Sequence, residues 1–300
     1  MKQLRLGVLA TALATAFLAN TAWADIKVGV ILPTTGPAAA YGIQEKNAIS
    51  LGPTTVGGQK VEYIMLDDRT DPTEAVKNAK KLTDEEKVDI VIGAGTTPTG
   101  LAIIDPLVES KTPLITLAPS KDMVSPMNDK RRWIFKTTTN DDLECEVLFK
   151  GMKERGVKRI GFIGYSDSYG TQWAAIAKEA AKRHGIEVTS DQYYARADTN
   201  VSGQVLRILT TKPDAILVVG TGAGAATPLI ELKNRNFQGG LYFTLGAVSP
   251  DFVRIAGATG SEGVYVPFAA VMGVDQVPKN YPARDSAASF VSAYEAKFGK

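Results

Sequence analysis

A two-lobed α/β architecture, each lobe built on a parallel sheet, is what this sequence predicts, and three observations predict it. Short β-branched and apolar runs alternate with amphipathic stretches from Ile26 onward, the pattern of successive βαβ units. The alternation breaks at Thr137-Thr138-Thr139-Asn140 and then starts again. The 300 residues, 44% hydrophobic and 22% charged, are ordinary globular material, enough for two domains of about 100–150 residues.

Taken in order, strands are expected at Ile26–Leu32, Lys60–Leu66, Val88–Gly93, Leu114–Thr116 and Trp133–Lys136. Helices are expected between them: Tyr41–Leu51, then Pro72 to about Lys87, then Pro98 to about Ser110. Pro72 suits the first helical position because its missing N–H would have no partner there, and Asp71 precedes it. The second set reads as helix Asp141–Arg155, strand Arg159–Gly164, helix Tyr169–His184, strand Glu187–Tyr193 and helix Ser202–Thr210. Strand Ala215–Val219, helix Ala223–Arg235, and strands Leu241–Thr244 and Val264–Val266 follow. Pro- and Gly-rich Pro267–Pro282 reads as a second crossing between lobes. A closing helix over Asp285–Phe298 puts Phe290, Tyr294 and Phe298 on one face. The predicted organisation is residues 1–24 as signal peptide, 25–139 as lobe one, 140–267 as lobe two and 268–300 as a return to lobe one.

The first segment carries a basic head at Lys2 and Arg5, an apolar run over Leu6–Leu18, and the small-residue site Ala22-Trp23-Ala24. This is an export signal, with cleavage expected before Asp25 and the periplasm as destination. The run is too short to cross a bilayer core, which needs ~20 residues, and no Cys follows it to carry a lipid. The mature chain is therefore not expected to span a membrane. A net charge of +2 from 34 basic and 32 acidic residues creates no one-sided field, which argues against nucleic acid as a partner. Cys145 is the single cysteine, so no internal disulfide can form. Glu144 and Glu146 flank it and disfavour a thiolate, which points to a buried, inert thiol.

Open parallel sheets hold ligands beyond the carboxyl ends of their strands. The loops there are Pro33-Thr34-Thr35-Gly36-Pro37, Ala94-Gly95-Thr96-Thr97-Pro98-Thr99 and Ala118-Pro119-Ser120. Hydroxyls beside free N–H groups at a helix start suit a carboxylate; the same residues also serve as plain N-caps and turns. Gly93-x-Gly95 and Gly220-x-Gly222-x-Gly224 do not complete a dinucleotide fingerprint, since Pro98 and Ala225 stand where the last Gly belongs. The one histidine, His184, precedes Gly185 at a helix end, and Gly164-Tyr165-Ser166-Asp167-Ser168 lacks the last Gly of a nucleophile elbow. No metal-ligand spacing occurs. No catalytic residue, cofactor or metal is assigned, and an enzyme is not expected.

Six blocks, in order, resemble the periplasmic binding proteins of the leucine/isoleucine/valine type: Ile26–Gly42, Asp67–Leu82, Val88–Ile103, Lys111–Ser120, Gly161–Gly170 and Lys212–Gly220. The resemblance implies the type I fold: two Rossmann-like lobes joined by three hinge strands, closing on a ligand that is handed to the permease of an ATP-binding-cassette (ABC) importer in the inner membrane. It implies a monomer whose Thr97 supplies a carboxylate-binding hydroxyl. Ala118 and Ser120 correspond to the pair that gives a backbone carbonyl and a second hydroxyl, and Tyr41 and Tyr169 to the aromatic covers from lobes one and two.

Amino-acid-binding members also carry a lobe-two acid after the strand matching Leu241–Thr244, whereas here Thr244-Leu245-Gly246-Ala247-Val248 has none before Asp251. A buried ammonium without a counter-charge would cost several kcal/mol. The segments "DDRTDPTEA", "RRWIFKTTTNDD" and "YARADTNVSGQVL" are most similar to aromatic-acid binders. The expected ligand is thus a small carboxylate, aromatic or branched-chain amino-acid-like. A sensor protein that presents its ligand to a membrane receptor would use the same fold. Family members continue beyond the point matching Lys300, so the C-terminal part of the fold is expected to be missing.

Overall fold

The computed structural model describes residues 25–267 and 269–299, so the expected signal peptide and its cleavage site lie outside the described residues. In lobe one, β1 (Ile26–Leu32) is the central strand, pairing in parallel with β3 (Gln59–Asp67) on one side and β4 (Ile90–Gly93) on the other. Its alternation serves both faces of the sheet. Val28, Val30 and Leu32 join Val61 in one core, while Ile31 packs with Leu82, Val91 and Leu107 in another. β5 (Leu114–Thr116) and β6 (Ile134–Lys136) extend the sheet in parallel, and β2 (Thr55–Val56) adds an antiparallel edge, in the order β2-β3-β1-β4-β5-β6.

The helices of this lobe start where their caps dictate. α1 spans Ala39–Ile49, and α2 (Pro72–Lys80) begins behind Asp71, whose carboxylate accepts the N–H groups of Thr73 and Glu74 at 2.7 and 2.9 Å. A π-helical turn over Lys81–Glu85 continues it. The single helix expected from Pro98 to Ser110 is two, α3 (Thr97–Ala102) and α4 (Ile104–Glu109), parted at Ile103. Pro106 has no N–H for the Ala102 carbonyl and its ring crowds that oxygen, which breaks the ladder there.

Lobe two follows the same plan. α5 (Asp141–Glu154), β7 (Arg159–Tyr165), α6 (Ser168–His184), β8 (Glu187–Tyr194), α7 (Ser202–Thr210), β9 (Ala215–Val219), α8 (Gly222–Asn234) and β10 (Gly240–Phe243) alternate along the chain. α9 (Pro250–Ala256), α10 (Ala258–Ser261) and β11 (Val264–Tyr265) complete an all-parallel sheet in the order β11-β10-β9-β7-β8. Every residue of β9 is buried, as helices on both faces require. One continuous core, from Cys145 through Trp173 to Phe252, fills this lobe. The last helix, α11 (Arg284–Phe298), sets the tilted rings of Phe290 against Tyr294 and of Tyr294 against Phe298, with centroids 6.1 and 5.1 Å apart. It lies beside α1, where Asn47 Nδ2 donates to the Tyr294 hydroxyl at 3.4 Å.

Candidate ligand-binding cleft

The carboxyl ends of the two sheets face each other across a cleft that encloses about 640 Å³, counted out to its mouth. Lobe one contributes Tyr41 from the start of α1, Thr96 and Thr97 after β4, and Thr138 and Thr139 after β6. Thr96 caps α3, accepting the Thr99 N–H at 3.5 Å with its hydroxyl 2.8 Å from that of Thr99. Thr97, the first helical residue, is 1% exposed, and its Oγ1 has no hydrogen-bond partner among the described residues. With six residues, α3 is too short for a useful macrodipole, which leaves the Thr97 hydroxyl as the polar side-chain group that this helix start brings to the cleft.

Lobe two supplies Glu144, Tyr169, Arg196, Thr221, Leu245 and Gly246. Asp167 caps α6 by accepting the N–H groups of Tyr169 and Gly170 at 2.9 and 3.4 Å. Its second oxygen accepts from Arg196 Nε at 2.5 Å, and Arg196 Nη1 donates to Thr221 Oγ1 at 3.4 Å. The guanidinium lies 4.2 Å from the Tyr165 ring centroid and 5.9 Å from that of Tyr169. Arg196 is therefore a held cation with an aromatic floor. The Tyr169 hydroxyl is committed inside the lobe, donating to Thr244 Oγ1 at 2.9 Å, so this residue offers the cleft its ring.

Buried acids gather around this cleft. Burial pushes the Glu144 carboxyl up to about 8; Asp141 raises it further and the Leu245 N–H, donating to Oε1 at 2.5 Å, opposes the rise. Burial also pushes Glu45 to about 8, with Asp68 adding to the rise. The Glu45 carboxyl lies against the β4 loop, where a Cβ on Gly95 would come 2.3 Å from Oε2. A larger residue at position 95 would require the Glu45 carboxyl to move. Asp141 is raised to about 7 by burial, against the pull of Lys136, and Tyr41 to about 12 by burial, Glu45 and Glu144. Among the described residues no group of three or more His, Cys, Asp or Glu is placed to hold a metal ion, and no helix is long and apolar enough to cross a membrane.

Of the residues singled out from sequence, Tyr41, Thr97 and Tyr169 line the cleft. Ala118 is fully buried between the lining residues Leu117 and Pro119, and its carbonyl accepts from the Thr138 hydroxyl at 3.2 Å. Ser120 is turned away to a contact between lobes, donating to Gln172 Oε1 at 2.5 Å and accepting the Asp122 N–H at 3.1 Å. The β10 loop carries no acid before Asp251, as the sequence shows, and the acid that lines the cleft beside that loop is Glu144 of α5. Sequence reasoning took Glu144 only as a neighbour of Cys145, whose thiol is indeed buried and pushed upward. Arg196 was also missed, although it lies in the "YARADTNVSGQVL" segment. His184 ends α6 as expected, and its Nε2 lies 2.6 Å from Glu146 Oε1.

Comparison with known proteins agrees with this architecture. The profile of the family described as periplasmic binding protein matches residues 25–300. The chain belongs to the periplasmic binding protein family. This periplasmic binding protein is 28% identical over 221 residues to Leu/Ile/Val-binding protein BraC3 of Rhizobium johnstonii, a match that covers 70% of this chain and 59% of BraC3. Among solved structures it is similar to an extracellular ligand-binding receptor from Rhodopseudomonas palustris HaA2, with 40% identity and a TM-score of 0.86 over 92% of this chain and 76% of the receptor. The leucine-binding protein LivK of Thermotoga maritima gives 25% identity and a TM-score of 0.82 over 92% and 77%. The fold is thus the type I periplasmic binding protein fold with two parallel-sheet lobes.

Proposed function

We propose that this protein is an extracytoplasmic solute-binding protein that captures a small carboxylate between its lobes and delivers it to the permease of an ABC importer. The observation that carries the reading is the Thr97 hydroxyl, buried without a partner on the lobe-one wall of a cleft whose opposite wall belongs to lobe two. A buried hydroxyl left unpaired costs about 1–3 kcal/mol, a cost that a ligand oxygen removes. The aromatic faces of Tyr41 and Tyr169 suit an apolar ligand body, aromatic or branched. The names of BraC3 and LivK support the small-carboxylate class. A cleft ligand that touches both lobes favours the closed arrangement, and the closed arrangement is what a permease can read.

The test is a thermal-shift panel of aromatic acids, 2-oxo acids and branched-chain amino acids. A ligand that binds only the native state adds RT ln(1 + [L]/Kd), about 2.7 kcal/mol at a hundredfold excess over Kd. At least one small carboxylate is expected to raise Tm in a saturable way. No shift from any member at millimolar concentration would overturn the reading.

A further inference from the structure

A hydrogen bond crosses from lobe to lobe between two residues that are each fixed in their own lobe. The Ser120 hydroxyl, in the loop after β5, donates to Gln172 Oε1 of α6 at 2.5 Å and accepts the Asp122 N–H at 3.1 Å. Ser120 is 1% exposed and caps the helical turn Lys121–Met123, whose Met123 is buried in the core of lobe one. Gln172 stands in the first turns of α6, behind the Asp167 cap and directly before Trp173, which is buried in the core of lobe two. Neither end can follow the other when the lobes part, so opening the cleft breaks the bond.

Both ends also sit beside the cleft walls. Leu117 and Pro119, in the same loop as Ser120, line the cleft; Tyr169 lines it from the other side and lies three residues before Gln172, on the same face of α6. The loop is braced from the crossing between lobes, where Thr138 Oγ1 donates to the Ala118 carbonyl at 3.2 Å and Lys136 Nζ donates to the Pro119 carbonyl. Here α3 of lobe one and α6 of lobe two lie against each other. A second cross-lobe pair, Lys121 Nζ and Asp142 Oδ2 at 3.5 Å, is 44% and 42% exposed, and water screens it. The bond shielded by the burial of Ser120 is the stronger tie.

Resting on the solute-binding reading above, we propose that Gln172 is a closure latch: by holding Ser120 across the lobes it favours the closed form and slows release of the captured carboxylate, without itself touching the ligand. A closed form favoured by some factor binds that much tighter through unchanged ligand contacts. Because release requires opening, the factor falls on the dissociation rate.

The test uses benzoate, phenylpyruvate and leucine as probes on the parent, Gln172→Met, Ser120→Ala and the double variant. Met keeps the length and helix preference of Gln and lacks its amide, with Gln172→Ala as a second variant should Met fail to pack, and circular dichroism checks each fold. Calorimetry gives Kd, and stopped-flow tryptophan fluorescence gives the rates. For a probe that binds the parent, Gln172→Met is expected to raise Kd about three- to tenfold, the loss of one net hydrogen bond. The dissociation rate should carry that factor while the association rate stays within about twofold. In the Ser120→Ala background the same substitution should change Kd by less than about twofold, because its partner is gone. An unchanged Kd in Gln172→Met overturns the latch, as do additive losses in the double variant or a loss confined to association. Weaker binding in Ser120→Ala with parental binding in Gln172→Met overturns it too and makes Ser120 a ligand contact. Binding of no probe to the parent counts against both the latch and the small-carboxylate reading, whereas parental binding without coupling between the two residues counts against the latch alone.

Discussion

Thr97→Ala removes one hydroxyl from the cleft and almost nothing from the fold. Thr97 Oγ1 has no partner among the described residues and the residue is 1% exposed, so no described hydrogen bond is lost on substitution. Thr96, which holds the α3 cap, is untouched. Deleting the buried methyl group costs stability by about 1 kcal/mol, offset by removal of an unsatisfied polar atom, which can itself be worth about 1 kcal/mol or more. Tm is therefore expected to move by only a few degrees in either direction. With ligand bound, the variant lacks a charge-assisted hydrogen bond of about 1.5–3 kcal/mol, and at about 1.4 kcal/mol per decade the Kd should rise roughly ten- to a hundredfold. Titration calorimetry with the tightest ligand of the thermal-shift panel is the assay. Thr97→Ser, which keeps the hydroxyl, should stay within a few-fold of the parent. Parental affinity in Thr97→Ala, or equal loss in the Ala and Ser variants, would refute the argument that this hydroxyl meets the ligand.

Other outcomes follow from the same geometry. Arg196→Gln removes the partner of Asp167 in a pair 11% and 26% exposed; it should lower stability by about 2 kcal/mol, allowing for partial screening, and an unchanged urea midpoint would contradict this. Gly170→Ala would bring a Cβ to 1.9 Å from the Tyr165 carbonyl oxygen; a cost of about 3 kcal/mol, read as a lower urea midpoint, is expected from overpacking against backbone that cannot yield. The acids raised by burial, Asp68 to about 6, Asp141 to about 7, and Glu45 and Glu144 to about 8, bind protons more tightly in the folded protein than in the unfolded chain. Their contribution is complete below the unfolded values near pH 4 and is lost as pH rises through the folded values, so Tm of the ligand-free protein should decline between about pH 5 and 8. Scanning fluorimetry across that range checks the sign, and Glu45→Gln should remove part of the slope; a Tm that climbs with pH would contradict the assignment.

Much of the fold was legible in the residues because it rests on local periodicity. β1, β5, α7 and β9 fall where the apolar runs predicted, and Asp71 with Pro72 starts α2 as its chemistry requires. The two-residue strand β2 was not legible, having too few residues to show a period, and neither was α9; Pro106 split a predicted helix whose outer ends were nearly right. Of the site, Thr97, Tyr41 and Tyr169 could be placed by matching blocks, since each follows a recognisable strand or opens a helix.

What the sequence by itself determined is the alternation of strands and helices, its repetition in two sets, and the loops at the strand ends where a ligand would lie. Which further side chains join Thr97, Tyr41 and Tyr169 in the cleft was decided by the tertiary structure. Glu144 and Leu245 are 101 positions apart and are joined by a hydrogen bond only because α5 and the β10 loop meet in lobe two. Arg196 faces the cleft because Asp167, 29 positions away, holds its guanidinium. Ser120, a good candidate by position, was drawn off to Gln172 across the lobes. The physical reason is one of range: periodicity and capping act within a few residues along the chain, whereas burial, and the pKa and partner it imposes on an acid, depend on which distant elements pack around it.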